Sequence, residues 1–205
     1  MSTAAFADLV ADEPVPIASA RAHALEVGCP AIAPAVGATL AVLAAAVNAR
    51  AVVEIGTGAG VSTLWLLAGM RPSGVLTSVD FDGEHQRAAR LALVEAEIPT
   101  SRARLINGAA SDVLPRLADG GYDLVFCDAA PGQYLDYLSH LRRVLRPGGI
   151  LAWHGLLWRE RVTDRSTRDR DTVAWRDLLA AVKTEGGVRT AVLPVGDGLL
   201  IAVPT

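Results

Sequence analysis

Lysine is nearly missing from this chain: Lys183 is the sole one, against 18 arginines. Any chemistry that depends on lysine, as a base or as a phosphate anchor, must use Lys183 or be set aside. Cysteine is also scarce. Cys29 and Cys127 lie far apart and fit no metal-binding spacing such as CxxC, so each reads as an ordinary buried thiol in a reducing compartment. Positive charge is not in excess, since 19 basic and 22 acidic residues leave a formal charge of −3. That balance excludes the electrostatic footprint of a nucleic-acid binder. The longest apolar run, 38–47, is about half of what a membrane span needs. The first sixteen residues carry Asp8, Asp12 and Glu13 and lack the basic start of a signal peptide. Apolar residues, at 51% and spread along the whole 205, argue against disorder and for one domain. The expectation is a soluble, cytoplasmic protein with neither a nucleic-acid nor a membrane partner.

Helical and extended patterns alternate. Helices are expected over 18–27 and 35–49, with Pro30 and Pro34 breaking the chain between them. Short apolar runs over 51–55, 74–79, 104–107, 122–127 and 150–153 read as strands, the fourth nearly all apolar, as a strand buried on both faces should be. Helical periodicity fills 61–70, 83–96, 111–117 and 134–145, and again 172–185; Pro147-Gly148-Gly149 stops the one before strand five. Runs at 188–194 and 199–203 flank Gly196-Asp197-Gly198, a hairpin signal that adds an antiparallel strand at or near one edge. Such alternation predicts an α/β fold, a mostly parallel sheet with helices on both faces. Ligands then bind beyond the carboxyl ends of the strands, so residues following Ile55, Val79, Cys127 and Trp153 converge on one cleft.

Glu54-Ile55-Gly56-Thr57-Gly58-Ala59-Gly60 follows the first strand and opens the next helix. Glycines there let backbone approach a ligand closely. Asp80 ends the second strand, where a carboxylate can accept hydrogen bonds from both ribose hydroxyls of a nucleoside. The glycine spacing departs from the G-x-G-x-x-G of dinucleotide sites, and Glu54 sits badly beside a pyrophosphate. An NAD(P) oxidoreductase of the short-chain kind would need a Tyr-x-x-x-Lys pair, which Tyr122, Tyr134 and Tyr137 do not supply. S-adenosylmethionine, which carries no phosphate, fits an acid-flanked loop better.

Six segments together resemble the small bacterial O-methyltransferases, grouped with catechol and caffeoyl-CoA O-methyltransferases. They are the run from Val53 to Ser62, Asp80, Asn107-Gly108-Ala109-Ala110, the stretch from Tyr122 to Ala129, Leu145-Arg146-Pro147-Gly148-Gly149 and Pro194-Val195-Gly196-Asp197-Gly198. The likeness is greatest to an actinobacterial branch of that family. It implies a Rossmann-like class I methyltransferase fold with a seven-stranded sheet, N-terminal helices over 1–49 and a core over 50–205. It also implies a homodimer, S-adenosylmethionine as cofactor and a small hydroxylated, aromatic acceptor. Glu54, Gly56 and Thr57 would line the methionine end of the cofactor, Gly58 and Asp128 would also contact the cofactor, and Ser62 would hold its carboxylate at a helix start. Asp80 would take the ribose and Phe81 would pack beside the adenine; Ala110 would meet the adenine edge, and Ile32 would reach the site from upstream. For Ile32 and Phe81, plain core packing is the competing role.

Relatives of this kind hold Mg²⁺ through three ligands, of which Asp128 is the first. The adjacent Asp-Asn pair that completes the set is His154 and Gly155 here, and the family's lysine three residues after the first ligand is Pro131. A hard, oxygen-seeking divalent metal thus loses two donors of three. Three roles are open to His154: a general base oriented by Asp128, a transition-metal ligand alongside it, or a histidine that only hydrogen-bonds at a strand end. The eroded ligand set also keeps open a protein that binds the cofactor without catalysis. His23, His85 and His140 fall in helical segments and read as surface or packing residues. Residues 159–171 carry five arginines and four acids, either a solvated, ion-paired loop or a lid over the acceptor. Trp153 and Trp158 are candidates to flank the acceptor, with core packing as the alternative for Trp153.

Overall fold

The structure, a computed structural model, describes residues 1–184 and 187–204. Along the chain run α1 (Thr3–Val10), α2 (Val15–Glu26), α3 (Pro34–Ala46), β1 (Ala51–Ile55), α4 (Val61–Gly69), β2 (Val75–Asp80) and α5 (Gly83–Glu95). There follow β3 (Ala103–Asn107), α6 (Ala110–Val113), β4 (Tyr122–Cys127), α7 (Tyr134–Val144), β5 (Leu145–His154), α8 (Arg170–Thr184), β6 (Val188–Leu193) and β7 (Leu199–Pro204). The strands form one sheet in the order β3-β2-β1-β4-β5-β7-β6. β1 to β5 pair in parallel, while β7 runs antiparallel between β5 and β6, one place in from the edge.

Helices cover both faces, so the central strands are buried twice over and read as unbroken apolar runs. On one face Leu40, Trp65, Leu66, Leu76 and Phe126 join α3 and α4 to the sheet. On the other, Val53, Val125, Leu141, Trp153, Trp175 and Leu178 join α7 and α8 to it. The parallel strands end together along one edge, and strand order reverses between β1 and β4. A crevice opens at that reversal because the chains leaving the two strands turn to opposite faces.

Two local features depart from the sequence patterns. The segment before α2 contains α1, capped by Ser2, whose side chain accepts from the Ala5 amide at 3.2 Å. α1 buries none of its residues and leans on α3, where Asp8 accepts from the Ala35 amide at 3.0 Å; without an apolar face packed on the core it leaves no clear periodic signal. β5 starts at Leu145 rather than at 150, because Leu145 is already extended and pairs with Tyr122. The register then jumps to Leu124 and Ile150, so 146–149 bulge out. Asp123 fastens the bulge, accepting from Arg146 Nε at 2.5 Å and from the amides of Arg50 and Ala51. The expected last residue of the 172–185 helix, Glu185, lies outside the described residues.

Candidate functional site

A cavity of about 610 Å³ lies across the reversal of strand order. Its floor is the turn after β1. Gly56 sits at φ +95°, and a Cβ built on it would come 2.1 Å from the Asp128 carbonyl oxygen, so no side chain is admissible there. The Gly56 amide donates to the Val79 carbonyl and the Asp128 amide to that of Ile55, at 2.9 and 2.8 Å, locking three strand ends together.

Asp80 forms one end of the cavity. Its Oδ2 accepts from the Gly58 amide and its Oδ1 from the Asp82 amide, each at 2.9 Å. One amide on each oxygen leaves further lone pairs for a ligand's hydroxyls. Ile32, Thr57, Ser62 and Ala110 also line the cavity. Ile32 belongs to the core and to the wall at once; Arg21, paired with Glu13, holds its carbonyl at 2.6 Å. Phe81 is 81% exposed on the rim, which removes core packing as its role.

Two predicted residues lie behind the wall rather than in it. Glu54 is fully buried, its Oε2 accepting from Thr63 and Ser78 at 2.5 Å each. Burial pushes its carboxyl up to about 7, against the pull of Ser62, Ser78 and Thr63. Its side chain therefore does not line the methionine end, as the resemblance implied; it stands one layer back. His154 ends β5 and places Nδ1 3.0 Å from Asp128 Oδ1. A carboxylate only accepts, so Nδ1 carries the hydrogen and Nε2 is left for other work. A Cβ at Gly196, in the β6–β7 turn, would lie 3.3 Å from that Nε2. Burial works against a charge on His154, but the hydrogen bond and charge of Asp128, aided by Asp197, prevail and raise its pKa above the ordinary value.

The cavity also holds residues that the pattern did not single out. His85, expected as a surface or packing residue, lines it, with Nδ1 3.9 Å from Asp80 Oδ2 and Nε2 3.9 Å from Asp82 Oδ2. The usable signal was Asp82, whose side chain caps α5 and accepts from the amides of Glu84 and His85, turning the first helical turn toward the end of β2. Cys29 and Tyr137 reach the wall as well. Cys29 is buried as expected, and burial raises its thiol pKa.

The aromatic flanks are absent. Trp153 is fully buried under α8, and Trp158 packs partly buried on the same core; neither lines the cavity. Nor does any residue of 159–171. Arg176 of α8 ties that loop down, donating to the carbonyls of Arg161, Val162, Asp164 and Thr167 at 2.5 to 3.1 Å. Among the described residues, no three His, Cys, Asp or Glu side chains cluster so as to hold a metal ion.

A family model described as O-methyltransferase matches residues 19–204. A Mycobacteroides abscessus protein bearing an O-methyltransferase name is 49% identical over 186 residues, 91% of this chain and 86% of its own. The crystal structure of a Corynebacterium glutamicum protein superposes with a TM-score of 0.88 at 32% identity, covering 95% of this chain and 91% of that one. TomG from Streptomyces achromogenes, an O-methyltransferase of tomaymycin synthesis solved with S-adenosylmethionine, gives a TM-score of 0.88 at 26% identity over 98% of this chain and 94% of its own.

Proposed function

The chain belongs to the O-methyltransferase family and has its Rossmann-like methyltransferase fold, and we propose from this that it moves the methyl group of S-adenosylmethionine to a hydroxyl of a small aromatic acceptor. The observation that carries the reading is the meeting of two features along the edge where the parallel strands end. A carboxylate dressed by two amides, Asp80, stands at one end, and the Asp128–His154 pair stands where β4 and β5 finish.

The residues present fit the nucleoside. Asp80 would bind the ribose hydroxyls, Phe81 and Ala110 would border the adenine, and Ile32, Gly56, Thr57 and Gly58 would enclose the methionine end. Ser62, at the start of α4, would meet the methionine carboxylate, where helix amides favour an anion. When bound, S-adenosylmethionine supplies a methyl group on a positively charged sulfur. His154, standing behind Asp128, would take on Nε2 the proton of the acceptor hydroxyl while that oxygen gains the methyl group and the sulfur–methyl bond breaks, leaving the neutral thioether. Asp128 accepts the hydrogen that Nδ1 keeps and would stabilise the imidazolium that results. The raised pKa of His154 suits a base that must hold its proton until the product leaves.

The residues do not fit the family's Mg²⁺. Asp128 already engages a histidine, the neighbouring donors are an imidazole and Gly155, and a hard divalent ion asks for oxygen ligands. We also read the chain as one domain, 1–205, working in the cytoplasm as a homodimer. Phe6, Leu9 and Val10, exposed on α1, support the dimer, and among the described residues no helix is long and apolar enough to cross a membrane.

Calorimetry tests the reading in two steps. S-adenosylhomocysteine is titrated first, then Mg²⁺ and Mn²⁺ into the saturated protein. Nucleoside binding without metal binding is expected, followed by transfer of labelled methyl to phenols lacking a vicinal diol. Saturable metal binding lost in Asp128→Ala would return the chemistry to metal assistance and to catechols. Failure of the nucleoside to bind would end the methyltransferase reading.

A further inference from the structure

Beneath the glycine loop runs a chain of buried polar groups that the transfer chemistry does not use. Gln86, fully buried in the first turns of α5, donates from Nε2 to Thr57 Oγ1 at 2.9 Å and to the Ile106 carbonyl at 3.2 Å. Because a carbonyl only accepts, Ile106 fixes which end of the amide faces Thr57. Thr57, having received a hydrogen, gives its own to Ser78 Oγ, 2.6 Å away. Ser78 then gives its hydrogen to Glu54 Oε2. Thr63 delivers a second one to the same atom. All the hydroxyls thus point toward Glu54, and each bond polarises the next.

The chain ends unevenly. Glu54 Oε2 receives two hydrogens, whereas Oε1, buried equally deep, has no hydrogen-bond partner. Ser62 favours the charge on the carboxyl although no hydrogen bond reaches Oε1, and it also lines the cavity. Two hydrogen arrangements follow. With Glu54 ionised, the Ser62 hydrogen turns back to the carboxylate, and the Ser62 oxygen shows the cavity only its lone pairs. With a proton on Oε1, Glu54 donates to Ser62 Oγ, and the Ser62 hydrogen points into the cavity. The Ser62 hydroxyl can donate to an anionic group in the second arrangement alone.

We propose that Glu54 is a positioning residue whose proton sets the direction of the Ser62 hydroxyl, so that ligands bearing a carboxylate bind here with uptake of one proton from solvent. This rests on the reading that the cofactor's methionine carboxylate meets Ser62. The surroundings agree. β2 contributes Ser78 beside Glu54 and Asp80 at its end, β4 contributes Phe126 in register and Asp128 beyond it, and α4 contributes the uncharged Ser62 and Thr63. α5 contributes Gln86, while its His85 faces Asp80 and Asp82. The charged neighbour acting on Glu54 is Asp128, which opposes a second negative charge. Since burial puts the carboxyl at about 7, both arrangements are populated close to neutrality.

The sign is definite. A carboxylate ligand selects the protonated form, so affinity holds below neutrality and falls as pH rises through the Glu54 value, approaching about tenfold per pH unit. The test is calorimetric titration of S-adenosylhomocysteine into the full chain from about pH 6 to about pH 9, in buffers of differing ionisation enthalpy. Wild type is expected to take up close to one proton per ligand near the upper end. In Glu54→Gln the amide nitrogen donates to Ser62 at every pH, and its affinity should be flat across the range and no weaker than wild type. 5′-Methylthioadenosine, which keeps the nucleoside and thioether but has no carboxylate, should bind wild type with no such slope. That arm stands even if the variant does not fold. A flat wild-type profile for S-adenosylhomocysteine overturns the proposal, as does an unchanged slope in Glu54→Gln or an equal slope for methylthioadenosine. Absence of S-adenosylhomocysteine binding at any pH overturns the proposed function itself, and this inference with it.

Discussion

Removing one oxygen atom, in Tyr134→Phe, tests whether the turn carrying Asp128 is held from below. The Tyr134 hydroxyl accepts from the Ala129 amide at 2.7 Å and donates to the Ala129 carbonyl at 2.6 Å. The ring is fully buried and packs edge-on against Trp175, centroids 5.1 Å apart, and phenylalanine preserves that contact. Burial holds the phenol neutral by raising its pKa well above the usual value, so charge does not complicate the comparison. The change leaves one backbone donor and one acceptor without a partner in a half-buried turn. Each unmet group costs about 1–3 kcal/mol when fully buried, and water reaching the turn halves that, so a loss of about 1–3 kcal/mol in total is expected. For a chain of this length, that corresponds to a fall in Tm of roughly 3–10 °C. Thermal unfolding by circular dichroism measures it, with S-adenosylhomocysteine affinity as the second readout. Affinity should drop, because Asp128 precedes Ala129 in this turn and its carbonyl lies so close to Gly56 of the cavity floor that a Cβ there would clash with it. A Tm within about 1 °C of wild type, together with unchanged affinity, would refute the claim that the hydroxyl fixes the turn.

Three further outcomes follow from the same geometry. His154→Gln should lower methyl transfer by about 10²–10⁴-fold, the worth of a positioned base, with nucleoside affinity unchanged; equal losses in both would mean a structural role. Glu54 carries its proton up to about pH 7 when folded but releases it near 4.5 when unfolded, so wild-type stability falls as pH rises between those values and levels off above. Denaturant titration should therefore find Glu54→Gln more stable than wild type above neutrality by up to about 3 kcal/mol, and the advantage should vanish in acid. Arg176→Met frees four carbonyls of the 159–171 loop, with an expected loss of about 2–4 kcal/mol and faster proteolytic cleavage there. Cleavage at the wild-type rate would count against Arg176 as the tie.

Much of the site was legible in the chain because of how parallel α/β sheets are built. Strands that alternate with helices must run the same way, so Gly56, Asp80, Asp128 and His154, each at or just past a strand end, had to meet along one edge. The spacing of glycines and the acid at position 80 needed no coordinates. The failures are failures of direction. Neighbouring residues on a strand point to opposite faces, and which face is which depends on the layers around it. Thus Trp153 turned into the core under α8 while His154, one residue on, met Asp128. Glu54 likewise withdrew behind the loop whose start it marks, and His85 swung inward because the cap of α5 set the helix rotation.

The sequence by itself determined the order of the elements, the sheet class and the identity of the polar residues at strand ends. Those follow from apolar periodicity and glycine placement, which act locally along the chain. Only the tertiary structure decided that Gln86, Thr57, Ser78 and Glu54, drawn from a helix, a loop and two strands, form one directed line of hydrogen bonds. No local pattern encodes that line. Its members are joined by burial, where a polar group is stabilised by a partner in whatever element packs against it.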